Sequence, residues 1–337
     1  MTPPSNASYG TDSSGLICGF RFGADGRGQA VSAEQAVAWL DREAVAEGFV
    51  WLHFNLAHAA TERWLREHVR LSEVFHDALH EKSRSTRVEL DDDTLVAIVN
   101  DVHYNFAFEP SDISTLWLSV TPRLMVSARL QPLRSIDRLR EAVKQGSAVR
   151  STVELLVHLM HDQGDVLVDI VRSVTAQVDG LEDHLLAGRL GKQRADLGAL
   201  RRLLVRLQRL LAPEPSALFR LLQKPPSWIR EEDLQDLRHS TEEFSVALRD
   251  MAALEERIKL LHEEIAGRVA EQNNRSLFVL TVVTVLALPI NIVAGLMGMN
   301  VGGVPFAQHP HGFWMVGGIS ATFGVVALWL AFRGERD

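Results

Sequence analysis

The stretch SLFVLTVVTVLALPINIVAGLMGMN, residues 276–300, decides how the rest of the chain is read. From Ser276 to Phe332 there is no Lys, Arg, Asp or Glu, yet Arg275 and Arg333 stand on the two flanks. Two apolar runs lie inside this interval, Ser276–Met297 and Phe313–Phe332. As helices they measure about 33 and about 30 Å, each the thickness of a bilayer's hydrocarbon core. A buried core helix can share this composition. Two uncharged runs parted by a short Gly/Pro loop instead predict a membrane hairpin.

The first run carries few polar side chains: Thr281, Thr284 and Asn291. At 3.6 residues per turn they fall within an arc of about 80°. Asn274, Leu277, Leu288 and Gly295 lie on or beside the same stripe. Polar groups inside a bilayer face a bundle interior or a watery path. Thr and Asn also bind neighbouring helices, at about 1 kcal/mol or less each, but a stripe along the whole span suits a pore lining. It contains no carboxylate, His or Cys, which excludes a zinc-type cage of direct ligands. Neutral oxygens can instead hydrogen-bond the water shell of a hard dication, which dehydrates reluctantly. Pro289 has no N–H for the Val285 carbonyl, which adds an acceptor near the stripe.

The span ends in Gly298-Met299-Asn300 rather than in charge. A helix C-terminus presents unpaired carbonyls and about half a negative charge. Glycine allows close backbone approach and a turn that releases the chain. Several such ends around one axis would attract cations without formal charge, with the Asn300 amide at the mouth.

Outward from the span, Trp228–Leu288 has no proline and one glycine, Gly267, so one helix is expected from the soluble part into the membrane, about 70 residues and roughly 100 Å long. That length needs packing partners. Leu237, Phe244, Leu248, Met251, Ile258, Ile265 and Val269 supply a seam, and acids such as Glu242, Glu243, Glu255, Glu256, Glu263 and Glu264 decorate the solvated faces.

Further upstream, GLICGFRF, FVWLHFNL, TLVAIVND, HYNFAFE, STLWLSVT and RLMVSAR suit strands. Between the first two, Ser32 leads a helical pattern, and TERWLREHV and SEVFHDALH predict two more helices. After Pro132 the pattern is helical: Ser151–Leu186, Asp196–Leu211 and Ala217–Gln223. The expected class is an α+β membrane protein with an N-terminal α/β cytosolic domain, a long stalk and two C-terminal transmembrane helices. Its expected divisions are a disordered tail over 1–14, the α/β domain over 15–130, a helical part over 131–226 and the stalk over 227–275. The spans follow at 276–297 and 313–332, joined by an outer loop over 298–312, with a tail at 333–337.

The polar N-terminus has no apolar segment of a secretory signal. Arg268 and Arg275 precede the first span, Arg333 and Arg336 follow the second, and the loop between has no basic residue. The positive-inside rule then places both termini in the cytoplasm. A net charge of -8 argues against nucleic acid as a partner. The single Cys18 excludes an internal disulfide and a cysteine-built metal site.

Gly298-Met299-Asn300 at the end of the first of two C-terminal spans, behind a large N-terminal domain and a stalk, resembles the CorA family of divalent-cation transporters. The continuation Val301-Gly302-Gly303-Val304-Pro305 is more similar to its zinc-transport, ZntB-like branch than to the magnesium branch, whose loop typically runs on to Met-Pro-Glu. The string Trp51-Leu52-His53-Phe54-Asn55-Leu56 also resembles the zinc branch, with Asn55 where an acid is common. The resemblance implies a homopentamer in the cell inner membrane, the first span lining a central pore and the second packing outside. It implies recognition of the hydrated cation at Asn300, and zinc uptake coupled to protons.

Other metal-ligand types are scattered. His76 and His80 lie four apart, His158, His161, Asp162, Asp165 and Asp169 share a helical face, and His309 and His311 sit in the outer loop. Solvated surface explains each, although the loop pair stands near the mouth and could gather zinc. Three functions remain open: a zinc-favouring transporter, a magnesium, cobalt or nickel channel of the same fold, and a membrane-tethered coiled-coil scaffold. No motif supports an enzyme.

Overall fold

The computed structural model describes residues 10–42, 47–82, 85–109, 111–186, 193–299, 305 and 309–333. These fall into two units that meet in sequence between His262 and Glu263. The expected tail over 1–14 lies largely outside the described residues, as do Asn300 and 334–337.

The first unit opens with β1 (Leu16–Phe22), β2 (Gly28–Ala30), α1 (Ala33–Leu40), β3 (Phe49–Asn55), α2 (Thr61–His68) and α3 (Glu73–His80). It continues with β4 (Arg87–Asp91), β5 (Thr94–Val102), β6 (Ile113–Val120) and β7 (Leu124–Arg129). The seven strands form one sheet in the order β2-β1-β3-β7-β6-β5-β4. Its pairings are antiparallel except β3 with β7. Because successive strand residues face opposite sides, β3 serves two layers. Val50, Leu52 and Phe54 join the core under α1–α3, with Trp39, Leu65, Phe75 and Leu79. Trp51 and His53 point to the other face, where Trp51 Nε1 donates to Ser127 Oγ at 2.8 Å.

Ser32 caps α1 as its pattern predicts. Its hydroxyl accepts from Gln35 N at 3.2 Å and Gln35 Oε1 accepts from Ser32 N at 3.0 Å, a reciprocal capping box. Replacing Ser32 by alanine should cost about 1 kcal/mol, read as a lower midpoint in denaturant unfolding.

Beyond β7 the unit is helical: α4 (Arg134–Lys144), α5 (Thr152–Leu186), α6 (Gln193–Leu211), α7 (Pro213–Gln223) and the first part of α8 (Glu231–Met297). Leu133, at the N-cap of α4, offers no capping side chain. Asp101 of β5 does that work from a distance, accepting from Ser135 N and Ser135 Oγ, both at 2.9 Å. The seam on α8 is buried at Leu237, Phe244, Leu248, Met251, Ile258 and Ile265, with Val269 half-buried. Arg257 of α8 pairs with Asp179 at 2.8 Å and with Glu182, both on α5, and Glu255 meets Arg201 of α6 at 2.8 Å.

Three expectations need correction. HYNFAFE, residues 103–109, is a loop and not a strand. His103 makes an isolated bridge to Leu133, Phe108 has φ 61°, and Asp112 Oδ2 accepts from Ala107 N and Glu109 N. Alternating aromatics mimicked a strand, but the chain here reverses between β5 and β6. Two edge strands, β2 and β4, carried no readable signal, since one is three residues long and the other, RVELD, is charged. Helix α7 begins at Pro213, four residues before the expected start, because proline's fixed φ suits the first helical position.

The second unit holds the rest of α8 and α9 (Gly312–Arg333). The 67-residue α8 contains an 18-residue window of mean hydropathy 2.5 with none of it buried, long and apolar enough to cross a bilayer. The described apolar stretch of α9, Gly312–Ala327, is shorter.

Candidate pore-lining face and outer mouth

The described chain places the stripe residues on one helix. Asn274, Leu277, Thr281, Thr284, Leu288, Asn291 and Gly295 all belong to α8, and all are exposed. Within the same stretch, Val282, Leu286, Pro289, Val293 and Met297 are half-buried, at intervals of four, three, four and four. This second set faces α9. Val293 and Met297 share a groove with Val316 and Ser320, and a Cβ at Gly324 would lie 4.0 Å from Leu286 Cδ2. On a helical wheel the centres of the two sets stand roughly 150° apart. The polar stripe therefore faces away from the hairpin partner, so Thr281, Thr284 and Asn291 are not glue between these two helices.

The hairpin seam escaped the reading of the sequence. Its signal was present in α9 as Gly312, Val316, Ser320 and Gly324, small or β-branched residues every fourth position along one face.

The hydroxyls of the stripe have a definite polarity. Thr281 Oγ1 donates to Leu277 O and Thr284 Oγ1 to Leu280 O, each at 2.8 Å. With its proton committed to the helix, each threonine offers only lone pairs outward. Waters around a cation point their hydrogens outward, so such acceptors complement a hydrated cation and not a hydrated anion. Helix α8 continues through Pro289 without ending.

At the mouth, Gly298 N donates to Ala294 O at 3.0 Å, prolonging the helical pattern by one residue, and Met299 N reaches Leu296 O at 3.4 Å. Gly298 turns the chain directly after α8 ends, without entering the left-handed region. Its requirement is steric. A Cβ there would come within 3.1 Å of Ala294 O. The third member of the motif, Asn300, lies outside the described residues. His309 and His311 are exposed, with ring centroids 6.1 Å apart. His309 Nδ1 accepts from His311 N at 3.2 Å, which leaves His309 its Nε2 as a metal donor.

The remaining candidates do not converge on a metal position. His76 is buried and its imidazole is held below the usual range by burial and then by Arg66, whereas His80 is exposed and stands 3.8 Å from Glu62. On α5, His161 lies between Asp165 and Glu243 of α8, at 3.9 and 3.4 Å, while Asp169 pairs with Arg138 and Arg172. Burial pushes the Asp162 carboxyl up to about 6, against the pull of Arg138 and His161. Among the described residues, no three His, Cys, Asp or Glu side chains gather as metal ligands. Cys18 sits half-buried in β1.

Comparison with known proteins gives this geometry a context. A profile described as CorA-like Mg2+ transporter protein matches residues 46–333. The divalent cation transporter CmaX of Pseudomonas aeruginosa is 31% identical over 331 residues, covering 96% of this chain and 97% of that one. The zinc transport protein ZntB of Yersinia enterocolitica is 26% identical, covering 87% of this chain and 88% of its own. Among solved structures, full-length CmaX superposes with a TM-score of 0.81 at 29% identity, covering 97% and 99% of the two chains. The CorA magnesium transporter of Methanocaldococcus jannaschii gives 0.74 at 19% identity over 93% of this chain and 96% of its own, which speaks to the fold alone. With the profile spanning most of its length and a relative aligned from end to end, the chain belongs to the CorA-like Mg2+ transporter family.

Proposed function

We propose that this chain is a homo-oligomeric, pentameric membrane transporter of hydrated divalent cations, with zinc the favoured ion and uptake driven by a proton gradient. The observation that carries the reading is the outward face of α8. Thr281 and Thr284 present acceptors only, on the side away from α9. Such a stripe needs neighbours, and copies of α8 around an axis would provide them. In this arrangement α8 crosses the inner membrane and lines the pore, α9 is the second crossing, and both termini lie in the cytoplasm. The domain divisions expected from the sequence are kept, and Gly298, Met299 and Asn300 form the outer filter, where Asn300 meets the hydrated ion. His309 and His311 stand beside that filter.

Zinc is favoured over magnesium because the loop from Val301 has no acid where a magnesium transporter carries one. The names of its relatives support both an unspecified dication and zinc. The test is flux in proteoliposomes with zinc- and magnesium-sensitive dyes, with and without a pH gradient. Zinc entry that grows with the gradient, and that Asn300→Ala reduces at least about tenfold, is expected, since a lost hydrogen bond to a charged shell is worth about 1.5–3 kcal/mol. Magnesium flux indifferent to pH would move the chain to the channel reading of the same fold. No dication flux from a verified oligomer would return it to a tethered scaffold.

A further inference from the structure

Five elements of the first unit meet in a buried cluster rich in hydrogen-bond acceptors, part of which lines a small pocket. β5 brings Asn100 and Asp101, α4 brings Ser135, α5 brings Gln163, α7 brings Glu214 and α8 brings Phe244. The open space among Asn100, Asp101, Gln163 and Phe244 is about 10 Å³, room for one water at most. Asp101 is well supplied with donors, from Val102 N at 2.7 Å and from Ser135 N and Ser135 Oγ at 2.9 Å.

Glu214 is not. It is fully buried, and neither of its oxygens has a hydrogen-bond donor among the described residues. Gln163 Nε2 gives one hydrogen to the Asn100 carbonyl at 3.1 Å and turns its second toward Glu214, whose protonation it opposes only weakly because no Glu214 oxygen lies within hydrogen-bond distance, and Gln163 Oε1 also lacks a donor. The charges acting here are of like sign: Asp101 faces Glu214, and Asp137 of α4 acts on Asp101. Gln163 and Phe244, from α5 and α8, bring no charge.

Among the described residues, neither Glu214 oxygen nor Gln163 Oε1 has a donor within hydrogen-bond distance, so the cluster has room for a proton. An O–H on Glu214 that donates to Gln163 Oε1 satisfies both side chains at once. A cation would also answer the charge, but the pocket cannot admit one with its water shell.

We propose that Glu214 is a proton-binding site whose neutral carboxyl fastens α7 to α5, and whose ionisation loosens the α6–α7 corner against the sheet. That corner is otherwise latched by the Leu210 carbonyl, which accepts from Thr86 Oγ1 at 2.9 Å and from Asn100 Nδ2 at 3.5 Å. Leu211 of α6 and Phe244 of α8 line the pocket that Asn100, Asp101 and Gln163 share. A change at Glu214 thus reaches the packing of the stalk helix through Gln163.

The direction of the pH response follows. Burial, reinforced by Asp101, holds the Glu214 carboxyl well above the usual range. The folded chain keeps a proton that the unfolded chain releases above about pH 4.3, so stability is greatest at low pH and falls as pH rises. The folding equilibrium constant should drop about tenfold per pH unit for as long as Glu214 stays protonated in the fold. Asp101, raised to about 6 by burial, contributes in the same direction but is finished above that value.

The test is denaturant unfolding of the full chain in detergent between about pH 5 and pH 8.5, wild type against Glu214→Gln. Gln is neutral and can still donate to Gln163. The expected result is a wild-type decline steeper than that of Glu214→Gln, by about tenfold per pH unit until Glu214 ionises in the fold, and profiles parallel over the whole range would overturn the proposal. If Glu214→Gln does not fold, infrared spectroscopy of the wild type with ¹³C-labelled glutamate decides. Glu214 is the buried glutamate among the described residues. A labelled carboxylic-acid stretch at about pH 6, where ordinary glutamates are ionised, supports the site, and its absence rejects it.

Discussion

Converting the acceptor stripe to an apolar one, by Thr281→Val, Thr284→Val and Asn291→Leu together, should lower dication flux about a hundredfold while leaving the oligomer intact. Each removed acceptor forfeits about 1 kcal/mol of hydrogen bonding to the ion's water shell, and about 3 kcal/mol together corresponds to two powers of ten. Thr→Val conserves volume closely, and all three altered side chains are exposed in the single chain, so folding of the protomer is not at stake. The control is Val282→Thr, which places the same hydroxyl on the face toward α9. It should leave flux within about threefold, since such a contact is worth under about 1 kcal/mol. Dye-based flux from proteoliposomes of matched oligomer content is the measurement. Equal losses in both would mean that the stripe has no special access to the ion. Full tolerance of the triple change would favour a scaffold.

The second large effect is expected at Met251, fully buried in the α8 seam. Met251→Asp places a carboxylate at a fully buried position, at a cost of about 3–5 kcal/mol or through protonation of the new acid. Met251→Leu, similar in volume, should cost less than about 1.5 kcal/mol. The surface pairs along α8, such as Arg201 with Glu255, are too exposed to offset the loss. Hydrogen exchange should show α5, α6 and the first part of α8 losing protection together in Met251→Asp. An exchange pattern like that of Met251→Leu would show that the seam does not hold these helices.

Much of this protein was legible from spacing. The α8 seam repeats at helical intervals, and Leu237, Phe244, Met251 and Ile258 are buried as that spacing requires. Ser32 announced α1, and in the fold it exchanges a reciprocal pair of hydrogen bonds with Gln35, three residues on. The stripe on α8 was visible because only three polar side chains interrupt a long apolar run. In each case the informative partners lie close together in the chain, or repeat along one helix.

What failed lacked such local partners. HYNFAFE alternates like a strand, yet Asp112 gathers its backbone into a loop. β4 is charged, and its strand state comes from pairing with β5.

From sequence alone came the membrane-length run, the long stalk, the polar stripe and the Gly-Met-Asn ending. Each is a property of one segment and its own periodicity. Only the tertiary structure decided which face of α8 meets α9, that the threonine protons turn back to the helix, and that Glu214 of α7 is buried beside Asp101 of β5. Those facts join residues far apart in the chain, or depend on which of several permitted hydrogen bonds a side chain makes, and packing alone selects among them.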